Sequence, residues 1–308
     1  MIGVVTNPRA RKNVANPARI ERLRLILGDK GILREARGLE GIGDIAREFR
    51  RLGIEILVID GGDGTLHHTL SAFIPIYRGT ALPPIVLSRG GTMNTVASSL
   101  GLKGLSEAVL ERVVNAITGR GSFEVVRANA LKVNDGYGFI FGLGFPVSLL
   151  NAYYRGKGRG RGKTVTVLLK ILLSAVEKPG PENVFFRPFE ADVWLDGKKL
   201  PFRRYTTILG STVRGVGLGF KPTRRAGEEG LFQMLCLDMG PPKMVLNALK
   251  VLLGMELRDE GLLDRAATRS VITLREPAEM QIDGEMFENQ REIRLQVGPS
   301  LRFIRTKP

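Results

Sequence analysis

Val58-Ile-Asp-Gly-Gly-Asp-Gly-Thr65 decides how this chain folds. Residues 54–59 (Ile-Glu-Ile-Leu-Val-Ile) read as a buried strand that stops at Asp60-Gly61-Gly62. A helix is expected over residues 65–74, capped by Thr65 and stopped by Pro75. Upstream, residues 2–6 form a short apolar run closed by Asn7-Pro8, and an Arg-rich amphipathic helix covers 17–27. Residues 32–36 suggest another strand and 44–52 another helix. Downstream, strand 85–87 leads through Ser88-Arg-Gly-Gly-Thr-Met-Asn94 into a helix over 94–100, with Asn94 as its cap. Alternation of this kind predicts βαβ units and a mostly parallel sheet with helices on both faces.

Two glycine loops on successive βα units face the same edge of such a sheet. Ligands of open α/β sheets bind outside the carboxyl ends of the strands, and a helix N-terminus favours phosphate. Asp63 sits in the first loop against that trend. A carboxylate about 4 Å from a phosphate costs roughly 4 kcal/mol per charge pair at an effective dielectric of about 20. Its presence fits a phosphate site only if it carries Mg²⁺ or takes a proton. The basic residues of Asn7-Pro-Arg-Ala-Arg-Lys12 are placed to reach phosphates from the same edge.

The pattern changes after Ser122. Strand-like runs dominate: 123–133, 191–195, 205–209, 231–237, 271–274, 280–282, 293–297 and 301–304. Asp196-Gly197 and Asp283-Gly284 suit tight hairpins. Helices are expected over 165–176 and 242–254, and Trp194 as a strand core residue. The reading is α/β + β: a doubly wound parallel-sheet nucleotide-binding domain (1–122), then a β-sandwich-like, β-rich domain (123–308). The last ten or so residues are candidates to return to the first domain.

Composition excludes several classes. Of 308 residues, 46 are Lys or Arg and 31 Asp or Glu, a net charge of +15 that predicts an anionic partner. The single cysteine, Cys236, excludes an intramolecular disulfide. The only histidines are the adjacent His67 and His68, a poor basis for a Cys/His zinc site. No H-E-x-x-H or G-x-S-x-G signature occurs. The start of the chain lacks the basic and apolar regions of a signal peptide, so a cytoplasmic protein is expected.

Asn7-Pro8, Gly61-Gly-Asp-Gly-Thr65, Gly91-Thr-Met-Asn94 and Asp283-Gly-Glu285 together resemble the diacylglycerol kinase catalytic-domain family, which includes bacterial lipid kinases and the sphingosine and ceramide kinases. The resemblance implies ATP between an α/β domain and a β-sandwich domain, and phosphoryl transfer to a lipid hydroxyl. It implies that Asn7, Gly61, Gly62, Asp63, Gly64, Thr65, Gly91, Thr92 and Asn94 bind the nucleotide. Asp63 would sit at the phosphate and Mg²⁺, and in sphingosine kinases the matching Asp is the proposed base. In bacterial members the base is the carboxylate matching Glu285, so both stand as candidates, with Asp283 beside them. Glu229-Gly230-Leu231 matches, with one extra methylene, the Asp-Gly-Leu segment that holds a structural Mg²⁺ in bacterial relatives. Two acidic positions of the family are replaced, by Thr95 and His68.

Arg155, Lys157, Arg159, Arg161 and Lys163 alternate with glycines beside the apolar run 165–176. They read as a flexible loop contacting an anionic membrane surface, ranked above a solvated loop and above RNA; no DNA is expected. Gly41-Ile-Gly-Asp-Ile-Ala46 matches a dinucleotide fingerprint but reads as a helix start. The expected function is an ATP- and Mg²⁺-dependent lipid kinase, peripherally bound to the membrane, with diacylglycerol, monoacylglycerol, sphingosine and ceramide as candidate acceptors. An NAD kinase-like enzyme and a catalytically silent nucleotide-binding adaptor are the alternatives, and a homo-oligomer is left open.

Overall fold

A computed structural model describes the chain apart from Arg37, Thr92, Lys103, Leu105, residues 156–159, Leu218, Gly219, Leu253, Gly254, Glu256, Lys307 and Pro308. It divides into two compact units. The first comprises Met1–Ala130, Asp135–Gly138 and Pro299–Pro308; the second comprises Leu131–Asn134 and Phe139–Gly298.

In the first unit β1 (Ile2–Thr6) leads through α1 (Arg11–Ala15) and α2 (Ala18–Leu27) to β2 (Gly31–Glu35). Next come α3 (Gly38–Arg51), β3 (Ile56–Gly61), α4 (Asp63–Ile76), β4 (Ile85–Arg89), α5 (Thr95–Ser99) and α6 (Ser106–Ile117). β5 (Phe123–Val133), as far as Ala130, and β6 (Gly136–Gly138) follow. The strands lie parallel in the order β2-β1-β3-β4. Beside β4 runs the end of β15 (Glu285–Thr306), with Phe303 opposite Ile85.

Alternating residues of β1 show how both faces are covered. Ile2 and Val4 pack with Leu23 and Leu27 of α2 and with Val109, Leu110 and Val113 of α6. Gly3 points the other way, and a Cβ there would lie 2.5 Å from the ring of Phe49 in α3. The missing side chain lets Phe49 close on the sheet and meet Phe73 of α4 edge-on at 6.1 Å. The doubly wound expectation is therefore met.

Several boundaries differ from the sequence reading. Helix α3 begins at Gly38, so the Gly41–Ala46 fingerprint lies inside it, with Ile42, Ile45 and Ala46 buried on its core face. Helix α4 passes Pro75, and the Tyr77 N–H still donates to the Phe73 carbonyl at 2.9 Å.

The second unit is rich in antiparallel strands. It holds β7 (Ile140–Gly144), α7 (Phe145–Arg155), α8 (Gly160–Glu177), β8 (Phe189–Leu195), β9 (Lys198–Lys199), β10 (Arg204–Tyr205) and β11 (Thr207–Ser211). β12 (Phe232–Leu237), α9 (Pro241–Leu252), β13 (Leu262–Ala267), β14 (Arg269–Ile282) and most of β15 complete it. The runs 271–274 and 280–282 are a single strand, β14, whose register slips on either side of Ala278, next to Pro277. Proline cannot donate to the ladder, so the strand bulges there instead of ending. Its first half pairs with β8 and its last residues pair with β7. Trp194 is not a core residue: Ala191, Val193 and Leu195 take the inner side of β8, and Trp194 lies outside, 5.9 Å from the Lys199 ammonium. Cys236 is buried, and burial pushes its thiol up to about 12.

Candidate active site

From β1 the chain steps to β2 on one side, then crosses back to β3 on the other. The crevice of an open parallel sheet forms at such a reversal, outside the carboxyl ends. Here those ends are Asn7, after β1, and Gly61-Gly62, where β3 finishes.

Asp60, at the end of β3, fastens this edge from beneath. The Arg19 guanidinium reaches both its oxygens, at 2.9 and 2.5 Å, and the two side chains are only 4% and 1% exposed. Thr6 donates to it at 2.7 Å, Ser88 also donates, and Asn13 ties Thr6 Oγ1 to the Asn7 carbonyl. Burial works to raise the Asp60 pKa, but Arg19 and the hydroxyls outweigh it and hold the carboxyl low. One buried carboxylate thereby joins the carboxyl ends of β1, β3 and β4 to α1 and α2. Neither Asp60 nor Arg19 was expected in this role; the only sign in the sequence is a charge closing an apolar run.

Above this base the two glycine loops touch backbone to backbone. A Cβ on Gly91 would lie 2.4 Å from the Gly62 Cα, and the Gly90 N–H donates to the Gly61 carbonyl at 2.9 Å. Asn94 holds the N-cap position of α5, but its side chain makes no capping bond. It adopts a left-handed conformation (φ 48°), accepting from the Gly91 N–H at 3.1 Å and donating to the Gly91 carbonyl at 2.9 Å. Helix α5 is instead capped by Asp63, whose oxygens accept from Thr95 N–H at 2.8 Å and Val96 N–H at 3.2 Å. Burial raises the Asp63 pKa, and those two donors oppose the rise. Thr65 does not cap α4 either. That helix starts at Asp63, and buried Thr65 receives the Asn7 side-chain amide at 3.3 Å. No side chain caps α4, which leaves the first N–H groups of a 14-residue helix open at the crevice.

A small pocket here is lined by Gly61, Gly62, Asp63, Arg89 and Asn94, with Leu66 among its apolar walls. Lys12 donates to the Arg89 carbonyl at 2.6 Å, and burial, then Arg19, lowers its pKa. Glycine backbone, an uncapped helix start and these cations are what a phosphate chain requires. Thr92 lies outside the described residues.

In the second unit Asp283-Gly284 forms the two-residue turn between β14 and β15, with φ of 50° and 92°. The Asp283 carboxylate accepts from Phe139 N–H at 3.1 Å and Ile140 N–H at 2.8 Å and is buried. These bonds anchor the hairpin. Glu285, the first residue of β15, is half-buried directly after that turn.

Among the described residues no three His, Cys, Asp or Glu side chains gather to hold a metal. Asp63 spends both oxygens on α5, Thr95 stands where the family keeps an Asp, and Glu229 is exposed on a turn. Arg155 is exposed at the end of α7. Lys157 and Arg159 lie outside the described residues, while Arg161 and Lys163 belong to the first turns of α8 instead of a loop. His67 is buried inside α4, which packs on β6.

Comparison with known proteins places this site in context. Residues 1–123 match the model of the diacylglycerol kinase catalytic domain, so the resemblance carried by the motifs holds over that segment. The probable lipid kinase YegS of Salmonella arizonae is 35% identical over 118 residues, and that of Salmonella heidelberg 36%. The match spans 37% of this chain and 37% of each relative. Over the whole chain, the fold is shared with a "putative diacylglycerol kinase" from Bacillus anthracis strain Sterne. The TM-score is 0.70 at 15% identity, covering 100% of this chain and 97% of the other.

Proposed function

We propose that this protein is a lipid kinase that moves the γ-phosphoryl group of ATP to a hydroxyl of a membrane lipid, diacylglycerol or a sphingosine- or ceramide-type lipid. The observation that carries the reading is the pair of glycine loops in backbone contact at the β1/β3 reversal, within the segment that matches a diacylglycerol kinase catalytic domain. Phosphoryl transfer needs positioning and charge stabilisation more than covalent chemistry. The Gly61–Thr65 and Gly90–Asn94 backbones supply the cradle, and Lys12 and Arg89 supply positive charge. Glu285 takes the proton of the attacking hydroxyl. Asp63 acts as a positioning residue through α5, since both its oxygens are engaged there. The chain works at the membrane surface, where such an acceptor lies. No described helix is long and apolar enough to cross a bilayer.

The test is transfer from labelled ATP to diacylglycerol, monoacylglycerol, sphingosine and ceramide in mixed micelles, with and without Mg²⁺. Labelled lipid is expected, and Glu285→Gln should lose at least about 100-fold in rate while still binding ATP. ATP binding without transfer to any acceptor would refute the proposal.

A further inference from the structure

Helix α8 buries Val167, Ile171 and Ala175, one stripe at four-residue spacing, in a cluster with Met244 of α9. An ordinary surface helix would be polar on its other side. Here Leu169, Leu172, Leu173 and Val176 are 52%, 37%, 60% and 81% exposed. The packed neighbour α9 adds Leu246 and Leu249, at 54% and 46%. Apolar side chains grouped in this way mark a surface that another body covers.

Charge selects the covering body. By sequence α8 and α9 carry Arg161, Lys163, Lys170, Lys243 and Lys250 against one carboxylate, Glu177. Lys170 is exposed among the leucines. A second copy of a +15 chain would set the same cations against each other. An anionic bilayer matches both features, taking leucines below the headgroups while lysines stay at the phosphates.

We propose that the outer faces of α8 and α9 form the surface by which this protein docks on anionic lipid. The placement gives docking a purpose, which rests on the lipid-kinase reading. Helix α7 packs on α8 and on β14, and the Tyr154 hydroxyl donates to the Gly284 carbonyl at 3.0 Å, next to Glu285. A face buried in lipid would thus adjoin the element that holds the proton acceptor.

Binding to vesicles, read by flotation without ATP, separates this inference from the kinase reading. The full chain should float with phosphatidylcholine–phosphatidylglycerol vesicles. The variant Leu173→Gln/Val176→Gln should bind at least about tenfold more weakly, because each buried apolar side chain is worth roughly that factor or more. Leu25→Gln, at a residue 80% exposed on α2, serves as control and should bind as wild type does. Transfer to a short-chain acceptor in solution should be unchanged in the double variant. The inference is overturned if wild type does not float, or if the double variant floats as well as wild type. Equally fatal would be a double variant that dissociates a dimer and leaves vesicle binding intact.

Discussion

Asp60, Asp63 and Asp283 all stand in stretches that the sequence singles out, and in the folded chain each carboxylate holds backbone or a cation in place. The donors lie far along the chain: Arg19 for Asp60, the Thr95 and Val96 amides for Asp63, the Phe139 and Ile140 amides for Asp283. Residue type and spacing reveal that a carboxylate is present; only folding shows which donors reach it. That is why the sequence locates the carboxylates of the candidate site but not their partners. The Asp60–Arg19 pair makes the point measurable. Asp60→Leu leaves a guanidinium buried without its counter-ion and should destabilise the protein by about 3–5 kcal/mol, measured by denaturant unfolding. Adding Arg19→Met should recover most of that loss. A single variant as stable as wild type would show that the pair is not fastening the sheet edge.

Strands and glycine loops are the elements most legible in the sequence, because a period of two and a Gly pair each have one physical meaning. Helix 106–117 and strand 140–144 escape notice, being elements whose partners come from distant segments. Capping is less legible: α4 begins at Asp63, ahead of Thr65, and Asn94 holds the N-cap position of α5 while Asp63, distant in sequence, bonds the first amides of that helix. The contact between Gly62 and Gly91 belongs to this scale as well. Gly91→Ala places a Cβ 2.4 Å from backbone, not from a yielding side-chain tip, so the two loops must part. Nucleotide affinity should fall at least about tenfold, by calorimetry, while global stability drops by only the roughly 1–3 kcal/mol of an overpacked site. Unchanged affinity would mean that loop contact does not shape the nucleotide site.

Across the whole molecule, pH should act through His67. Burial, then His68, pulls its pKa from 6.5 to about 4. Between those values the unfolded chain binds more protons than the folded one, so stability should fall as pH drops from 6.5 towards 4 and stay level above. The loss approaches about 3 kcal/mol for this 3% exposed residue and should be absent from His67→Gln. Identical acid slopes for the two proteins, by unfolding midpoint, would exclude His67 as the source. A last consequence concerns synthesis. Leu301, Phe303 and Ile304 fill the core of the first unit and flank β4, yet the ribosome makes them only after all of the second unit. Until then the outer edge of β4 stays bare on the nascent chain, so a fragment ending at residue 123 would carry a sticky, unfinished sheet into solution.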